Sequence, residues 1–278
     1  VRSLRIASVF AVVVLAVAGL TASPASAESP ASSSAVASPK KGVSAANVPG
    51  VTAALGDVGA TWYYTWASNP QGIGAPAGVE FVPMIWGPGS VTDAQLNEAK
   101  ALGRTLLGFN EPDMAGQANM SVEQALDLWP RLQATGMRLG APAVAFGGDQ
   151  PGGWLDRFMS GAAARGYRVD FIPLHWYGGD FSSAATGQLR SYLQAVYDRY
   201  RKPIWLTEYA LINFFGPTPV YPSVQQQTDF VRQSTAMLES LPFVERYAWF
   251  TLSTRTSPTG LYTDATANAS GAAYRAAG

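Results

Sequence analysis

The sequence has 278 residues, 47% of them hydrophobic, which is ample for a sizeable core, and only 14% charged, against a usual figure of about 25%. Lysine plus arginine equal aspartate plus glutamate at 19 each, so no electrostatic partner such as nucleic acid or an anionic membrane is implied. Cysteine is absent and His175 is the one histidine, which excludes thiol nucleophiles, thiolate metal sites and multi-histidine zinc sites. The polar surface is built from Ser, Thr, Gln, Asn and Gly, with 12% aromatics and eight tryptophans. A neutral, aromatic-rich surface suits a neutral polar ligand that stacks, and sugars fit, although about half of the tryptophans read as core.

Residues 1–27 read as a secretory signal peptide. Arg2 and Arg5 give a basic start, Ile6 to Leu20 an apolar run, and Ala25-Ser26-Ala27 a small-x-small cleavage site. With Val1 taken as a translated GTG start, the expectation is a secreted, extracellular bacterial protein with no membrane association once the signal is removed. Residues 28–50 are small, polar and free of aromatics, and read as a flexible spacer. The folded domain is placed at 51–278, with no second linker and no internal repeat.

Along that domain short apolar strands alternate with helical stretches. Strands are predicted at Trp62 to Ala67, Phe81 to Gly87, Thr105 to Asn110, Leu139 to Val144, Asp170 to Tyr177, Pro203 to Tyr209 and Arg246 to Leu252, with a short last one at Gly260 to Thr263. Thr92 opens one helix and Ser121-x-x-Gln124 has the form of a capping box before another. Ser191 to Tyr200 and Gln225 to Leu241 carry apolar residues at helical spacing. About eight such units predict a single α/β domain, a compact (β/α)8 TIM barrel, either complete or modified. The alternative, a doubly wound open sheet, lacks its Gly-rich nucleotide loop.

In a barrel the active groups come from the C-terminal ends of strands. On this count strand two ends Trp86-Gly87, strand three Asn110-Glu111-Pro112-Asp113, strand five His175-Trp176-Tyr177, strand six Thr207-Glu208-Tyr209 and strand seven Trp249-Phe250-Thr251. Two carboxyl groups facing each other across a barrel mouth are what glycoside hydrolysis needs: one protonates the leaving oxygen, and the other attacks the anomeric carbon or activates water. Asn110 is placed to hold a sugar 2-hydroxyl, Tyr177 to donate to Glu208, and Trp249 or Trp86 to form a platform under a sugar ring. Each glutamate alone has a blander reading as a helix cap or a surface ion pair. His175 reads as a hydrogen-bonded supporting group rather than a base, and Asp113 as a cap on the next segment. Strand alternation assigns Trp205 and Trp176 to the helix-facing core. Phe214 and Phe215, in a long loop after strand six, are either a protruding wall for a curved glycan or an apolar loop packed on the rim.

The motif order GFNEPD, DFIPLHWYG, IWLTEYA and ERYAWFT resembles glycoside hydrolase family 128, within the large clan of retaining (β/α)8 glycosidases, over roughly residues 51 to 276. The resemblance implies Glu111 as acid/base and Glu208 as nucleophile, with Asn110 and Tyr177 in support. The strand count departs from the clan, which places the two acids on strands four and seven rather than three and six. The function expected is that of a secreted retaining endo-β-1,3-glucanase acting on laminarin- or curdlan-type glucans as a monomer. No metal or organic cofactor is expected, and no nucleic-acid partner. Cellulose, mannan or xylan is the alternative substrate, and a non-catalytic glucan-binding protein the alternative class.

Overall fold

The structure is a computed structural model that describes residues 38–278. The expected signal peptide, and the expected spacer up to residue 37, lie outside the described residues.

Eight parallel strands form the frame: β1 (Lys41–Ser44), β2 (Trp62–Tyr64), β3 (Glu80–Phe81), β4 (Thr105–Leu106), β5 (Arg138–Leu139), β6 (Ile172–Gly178), β7 (Ile204–Leu211) and β8 (Val244–Trp249). The helices between them are α1 (Val51–Asp57), α2 (Asp93–Leu102), α3 (Val122–Gln133), α4 (Trp154–Ala164), α5 (Ala185–Tyr200) and α6 (Val224–Ser240), with α7 (Ala269–Arg275) last. No helix joins β2 to β3; residues 65–79 are a loop. Six strands pair in the order β3-β2-β1-β8-β7-β6, and β4 pairs with β5. Single bridges between Met84 and Leu107 and between Gly140 and Phe171 close the ring. The architecture is the expected (β/α)8 barrel with one helix missing. A Cβ at Gly140 would sit 2.6 Å from the Phe171 ring, so only glycine lets β5 and β6 approach at this seam.

The N-terminal boundary expected from sequence is wrong. Residues 41–44, assigned to the spacer, are β1, fully buried and paired with both β2 and β8. The run KGVS is short and weakly apolar, so it carries no strand signal of its own; its partners on both sides define it. Lys41 is buried because its ammonium group donates to the carbonyls of Tyr274, Arg275 and Ala277, at and just beyond the end of α7, a favourable place for a cation. Tyr274 donates to the Gly42 carbonyl at 2.6 Å. With β1 counted, Glu111 follows strand four and Glu208 lies on strand seven, which removes the departure from the clan. Gly260 to Thr263 is not a barrel strand: Tyr262 and Thr263 form β9, antiparallel to β10 (Thr266–Ala267).

The caps stand where the sequence placed two of them. Thr92 accepts from Gln95 N, and Ser121 from Gln124 N. The full reciprocal box occurs instead at Ser223 and Gln226, ahead of α6.

The barrel interior is filled by Trp62, Tyr64, Val82, Met84, Leu107, Phe171, Trp205 and Ala248. Trp205 therefore faces the barrel, not the helices as strand alternation suggested. The reason is a β-bulge: Leu206 pairs with Leu174 and Glu208 with His175, leaving Thr207 unmatched. The extra residue resets the alternation, so Trp205 and Glu208 both point inward. Trp176, stacked on Phe230 at 5.7 Å, packs outward as expected. Below the interior cluster, Arg246 lies over Trp205 at 4.5 Å and Arg138 over Phe171 at 5.0 Å. Glu245 Oε2 accepts from Arg138 at 2.6 Å and from the Trp205 indole at 2.8 Å. These groups plug the end of the barrel remote from the site.

The placement of β1 yields a test. A chain of residues 38–278 is expected to melt cooperatively by circular dichroism, whereas one of residues 51–278, lacking an interior strand, is expected to show no cooperative transition. A cooperative transition in the shorter chain would contradict the role given to β1.

Candidate active site

Glu111 stands just beyond β4. Its backbone adopts φ 45°, a left-handed conformation rare outside glycine. Cross-strand bonds hold it there: Glu111 N donates to the Ala143 carbonyl at 2.7 Å, and Asn110 N to the Trp86 carbonyl at 2.8 Å. The turn in GFNEPD thus aims a buried carboxylate, 7% exposed, into the barrel mouth. Behind it, Asp113 accepts from Ala145 N at 2.9 Å, so it ties the turn to the segment after β5 instead of capping its own C-terminal neighbours. Burial raises the Asp113 carboxyl above its ordinary value, partly offset by its backbone bonds.

Glu208, 4% exposed, enters from β7. Three donors converge on it. The Trp66 indole N–H reaches Oε1 at 2.6 Å, the Tyr64 hydroxyl lies 3.0 Å from the same oxygen, and the Tyr177 hydroxyl donates to Oε2. Such a set of donors suits a carboxylate anion. Burial, and then the Glu208 charge, push both tyrosine hydroxyls well above their ordinary value, so they act as donors.

His175 sits between the two acids. Its Nδ1 lies 2.7 Å from Glu111 Oε1 and 3.5 Å from Glu208 Oε2. Burial by itself would lower its pKa, but the Glu208 charge, together with the bond to Glu111 and its charge, raises it above 6.5. Nδ1–H then donates to Glu111 Oε1, which leaves Oε2 as the oxygen able to carry a proton. Glu111, His175 and Glu208 each present one polar atom within 4.8 Å of the other two. Such a trio could also grip a divalent cation, but the donors already aimed at Glu208, and the His175–Glu111 bond, order it for protons.

The other residues singled out in the sequence divide. Asn110 is buried at the mouth; its amide N–H donates to Gln117 at 3.3 Å, while its Oδ1 has no partner among the described residues. Trp86 is half-buried against the interior cluster and stays available as a ring platform. Trp249 does not: it is fully buried, donates to the Thr259 carbonyl at 2.8 Å, and packs on Tyr209, Phe230 and Tyr274. The alternation of β8 sends it to the helix side, and the next residue, Phe250, meets Tyr177 and Trp66 edge-on instead. Phe215 is 90% exposed, whereas Phe214 meets the Tyr177 ring at 5.3 Å. Tyr64 and Trp66 were missed by sequence reading, although WYYTW, read at its C-terminal end like the other strands, contains both.

Residues 49–274 match the family described as the glycosyl hydrolase catalytic core. An endo-β-1,3-glucanase of Amycolatopsis mediterranei, from glycoside hydrolase family 128 subgroup I, is 78% identical, with a TM-score of 0.86 over 87% of this chain and 100% of that one; it was solved with laminaritriose.

The chain belongs to glycoside hydrolase family 128.

A second member of family 128, a curdlan-specific exo-β-1,3-glucanase of Blastomyces gilchristii from subgroup III, is 30% identical, with a TM-score of 0.71 over 87% of this chain and 99% of that one. Alkali-sensitive linkage protein 1 of Schizosaccharomyces pombe is 32% identical over 199 residues, which is 69% of this chain and 34% of that protein's length. The Amycolatopsis enzyme was also solved with either of two glutamates replaced and laminari-oligosaccharides bound. Those glutamates lie 97 positions apart, as positions 111 and 208 do here.

His175 gives a sign-definite prediction. Because its folded-state value lies above 6.5, its contribution to stability is complete below about pH 6.5 and is lost as pH rises through the folded value. Melting temperatures of the native chain and His175→Asn should therefore differ most below pH 6.5 and converge on the alkaline side. A difference that grows with pH would contradict the raised value of the doubly flanked ring.

Proposed function

We propose that this chain is a retaining endo-β-1,3-glucanase, exported from the cell, in which Glu111 is the acid/base and Glu208 the nucleophile. The observation that carries the mechanism is the spacing of the two carboxylates. Both acids approach one imidazole nitrogen and present oxygens within 4.8 Å of each other, which suits the retaining arrangement, whose carboxyl groups stand about 5–5.5 Å apart, better than the wider spacing of about 6.5–9.5 Å in an inverting enzyme. The substrate class rests on the 78% identical relative, an endo-β-1,3-glucanase complexed with laminaritriose.

In the first step Glu111 Oε2 protonates the departing glucosyl oxygen while Glu208 attacks the anomeric carbon, giving a glycosyl-enzyme. The attacking oxygen must give up a hydrogen bond as it moves, and the remaining donors hold the carboxylate in line. In the second step Glu111, now ionised, takes a proton from water, which displaces Glu208. His175 fixes the orientation of Glu111 in both steps. Asn110, with an unpartnered amide oxygen at the mouth, supports a sugar hydroxyl, and Trp86 and Phe214 offer apolar faces to the ring. Phe215, exposed beside Phe214, extends that wall. The working unit proposed is a monomer. Export rests on the N-terminal basic and apolar pattern of residues 1–27.

Reducing-sugar release by residues 28–278 across laminarin, curdlan, cellulose, xylan and mannan tests the assignment. Activity is expected on the two β-1,3-glucans, with Glu208→Gln lowering kcat by about a thousandfold or more. Activity confined to another polymer would overturn the substrate. Undiminished activity in Glu208→Gln would overturn the mechanism.

A further inference from the structure

The Trp66 indole donates the short bond to Glu208 Oε1, yet Trp66 sits on no regular element. It lies in the 65–79 loop that replaces the missing helix, with its own backbone at φ 58°. A bulky residue in the left-handed region does not hold that conformation unaided. Its support comes from the next few residues. Ser68 Oγ donates to Glu98 Oε2 at 2.6 Å, and Asn69 Nδ2 donates to Glu98 Oε1 at 3.0 Å. Asn69 passes the constraint back: its carbonyl accepts from Thr65 Oγ1 at 2.7 Å, one residue before Trp66, and its Oδ1 accepts from Gln71 N and Nε2. The Ala67 carbonyl accepts from Met84 N at 2.9 Å. Both oxygens of Glu98 are thus engaged by the loop, and Glu98 itself stands on α2, a regular helix anchored by its Thr92 cap.

We infer that Glu98 is a positioning residue for the hydrolytic reaction: through Ser68 and Asn69 it sets the loop that holds the Trp66 N–H on the nucleophile. This rests on the glucanase reading for its kinetic consequence, but not for its geometry. Around Glu208 the other ionisable neighbours are Tyr64, Tyr177, His175 and Glu111, all carried by strands or strand ends. Trp66 is the donor delivered by a loop, so it is the one that depends on a tether. A hydrogen bond to a charged group is strong enough that its loss costs about tenfold in an equilibrium or rate. Losing a donor also disfavours the ionised carboxylate.

The test is a double-mutant cycle on laminarin between Glu98→Ala and Trp66→Phe, with Glu208→Gln as the control for the reading beneath it. Each single variant is expected to lower kcat about tenfold and to move the acidic limb of the kcat/KM profile to higher pH, while the double variant is no worse than Trp66→Phe alone. Glu98→Gln, which keeps one acceptor, is expected to restore part of kcat. Additive effects, or a lower melting temperature with kcat and the pH profile unchanged, would overturn the inference. If Glu98→Ala does not fold, Ser68→Ala and Asn69→Ala remove the two bonds one at a time and carry the same expectation. The indole N–H proton resonance of Trp66, assigned by its loss in Trp66→Phe, reads the bond with no substrate. It is expected to move upfield in Glu98→Ala even if the native chain proves inactive on laminarin, a result that would defeat the glucanase reading alone. A resonance that stays in place would overturn the positioning role.

Discussion

One unmatched residue, Thr207, decides where the chemistry can happen. Strict alternation along β7 would turn either Trp205 or Glu208 toward the helices, since the two are three positions apart. The bulge lets the strand do both jobs. Trp205 closes the barrel interior over Arg246, and Glu208 reaches the mouth. The bulge appears in the register of β7 against β6 and again against β8, so it belongs to β7 itself. Its disturbed backbone is not left unpaired: the Tyr64 hydroxyl lies 3.1 Å from the Thr207 carbonyl oxygen, and Thr207 Oγ1 donates to the Leu174 carbonyl. A bulge beside an active site re-aims a side chain at a small cost in pairing, and here the tyrosine that stabilises the bulge also lies against the carboxylate it re-aims.

From that placement comes the asymmetry of the two acids. Glu208 accepts from the Trp66 indole and the Tyr177 phenol, and the Tyr64 hydroxyl divides its one proton between Glu208 and the Thr207 carbonyl. Glu111 meets one imidazole, on one oxygen. Two carboxyl groups held this close do not comfortably ionise together, and more hydrogen-bond donors face Glu208 than face Glu111. The scaffold delivers most of this from strand ends, where backbone ladders fix direction: β2 brings Tyr64, β6 brings His175 and Tyr177, and β7 brings Glu208. The turn after β4 is pinned across the seam by Ala143 and Asp113. Only Trp66 arrives on a loop, and that loop is tethered to α2.

How much of this was legible depended on whether a signal was local. Seven of the eight barrel strands, the two glutamates and the supporting His175 and Tyr177 could be read because an apolar run followed by Asn-Glu-Pro or Thr-Glu announces itself. β1 could not, because Lys41 is buried only by virtue of carbonyls more than two hundred residues away. The bulge was equally silent, since nothing in IWLTEYA marks Thr207 as the extra residue; Trp205 was misassigned for that reason alone. Trp249 failed as a platform because the alternation of β8 puts Ala248 in the barrel interior and Trp249 on the helix side. Tyr64 and Trp66 were a different kind of miss: their strand was recognised, but its end was not read for chemistry.

In the proposed mechanism Glu208 attacks carbon directly, forming a glycosyl-enzyme with Glu111 as its proton partner. Proton NMR of the anomeric region during the first minutes of laminari-oligosaccharide hydrolysis, before mutarotation, tests it most directly. The first new reducing end is expected to be the β-anomer. An α-anomer appearing first would mean a single displacement by water, and would contradict the role given to Glu208.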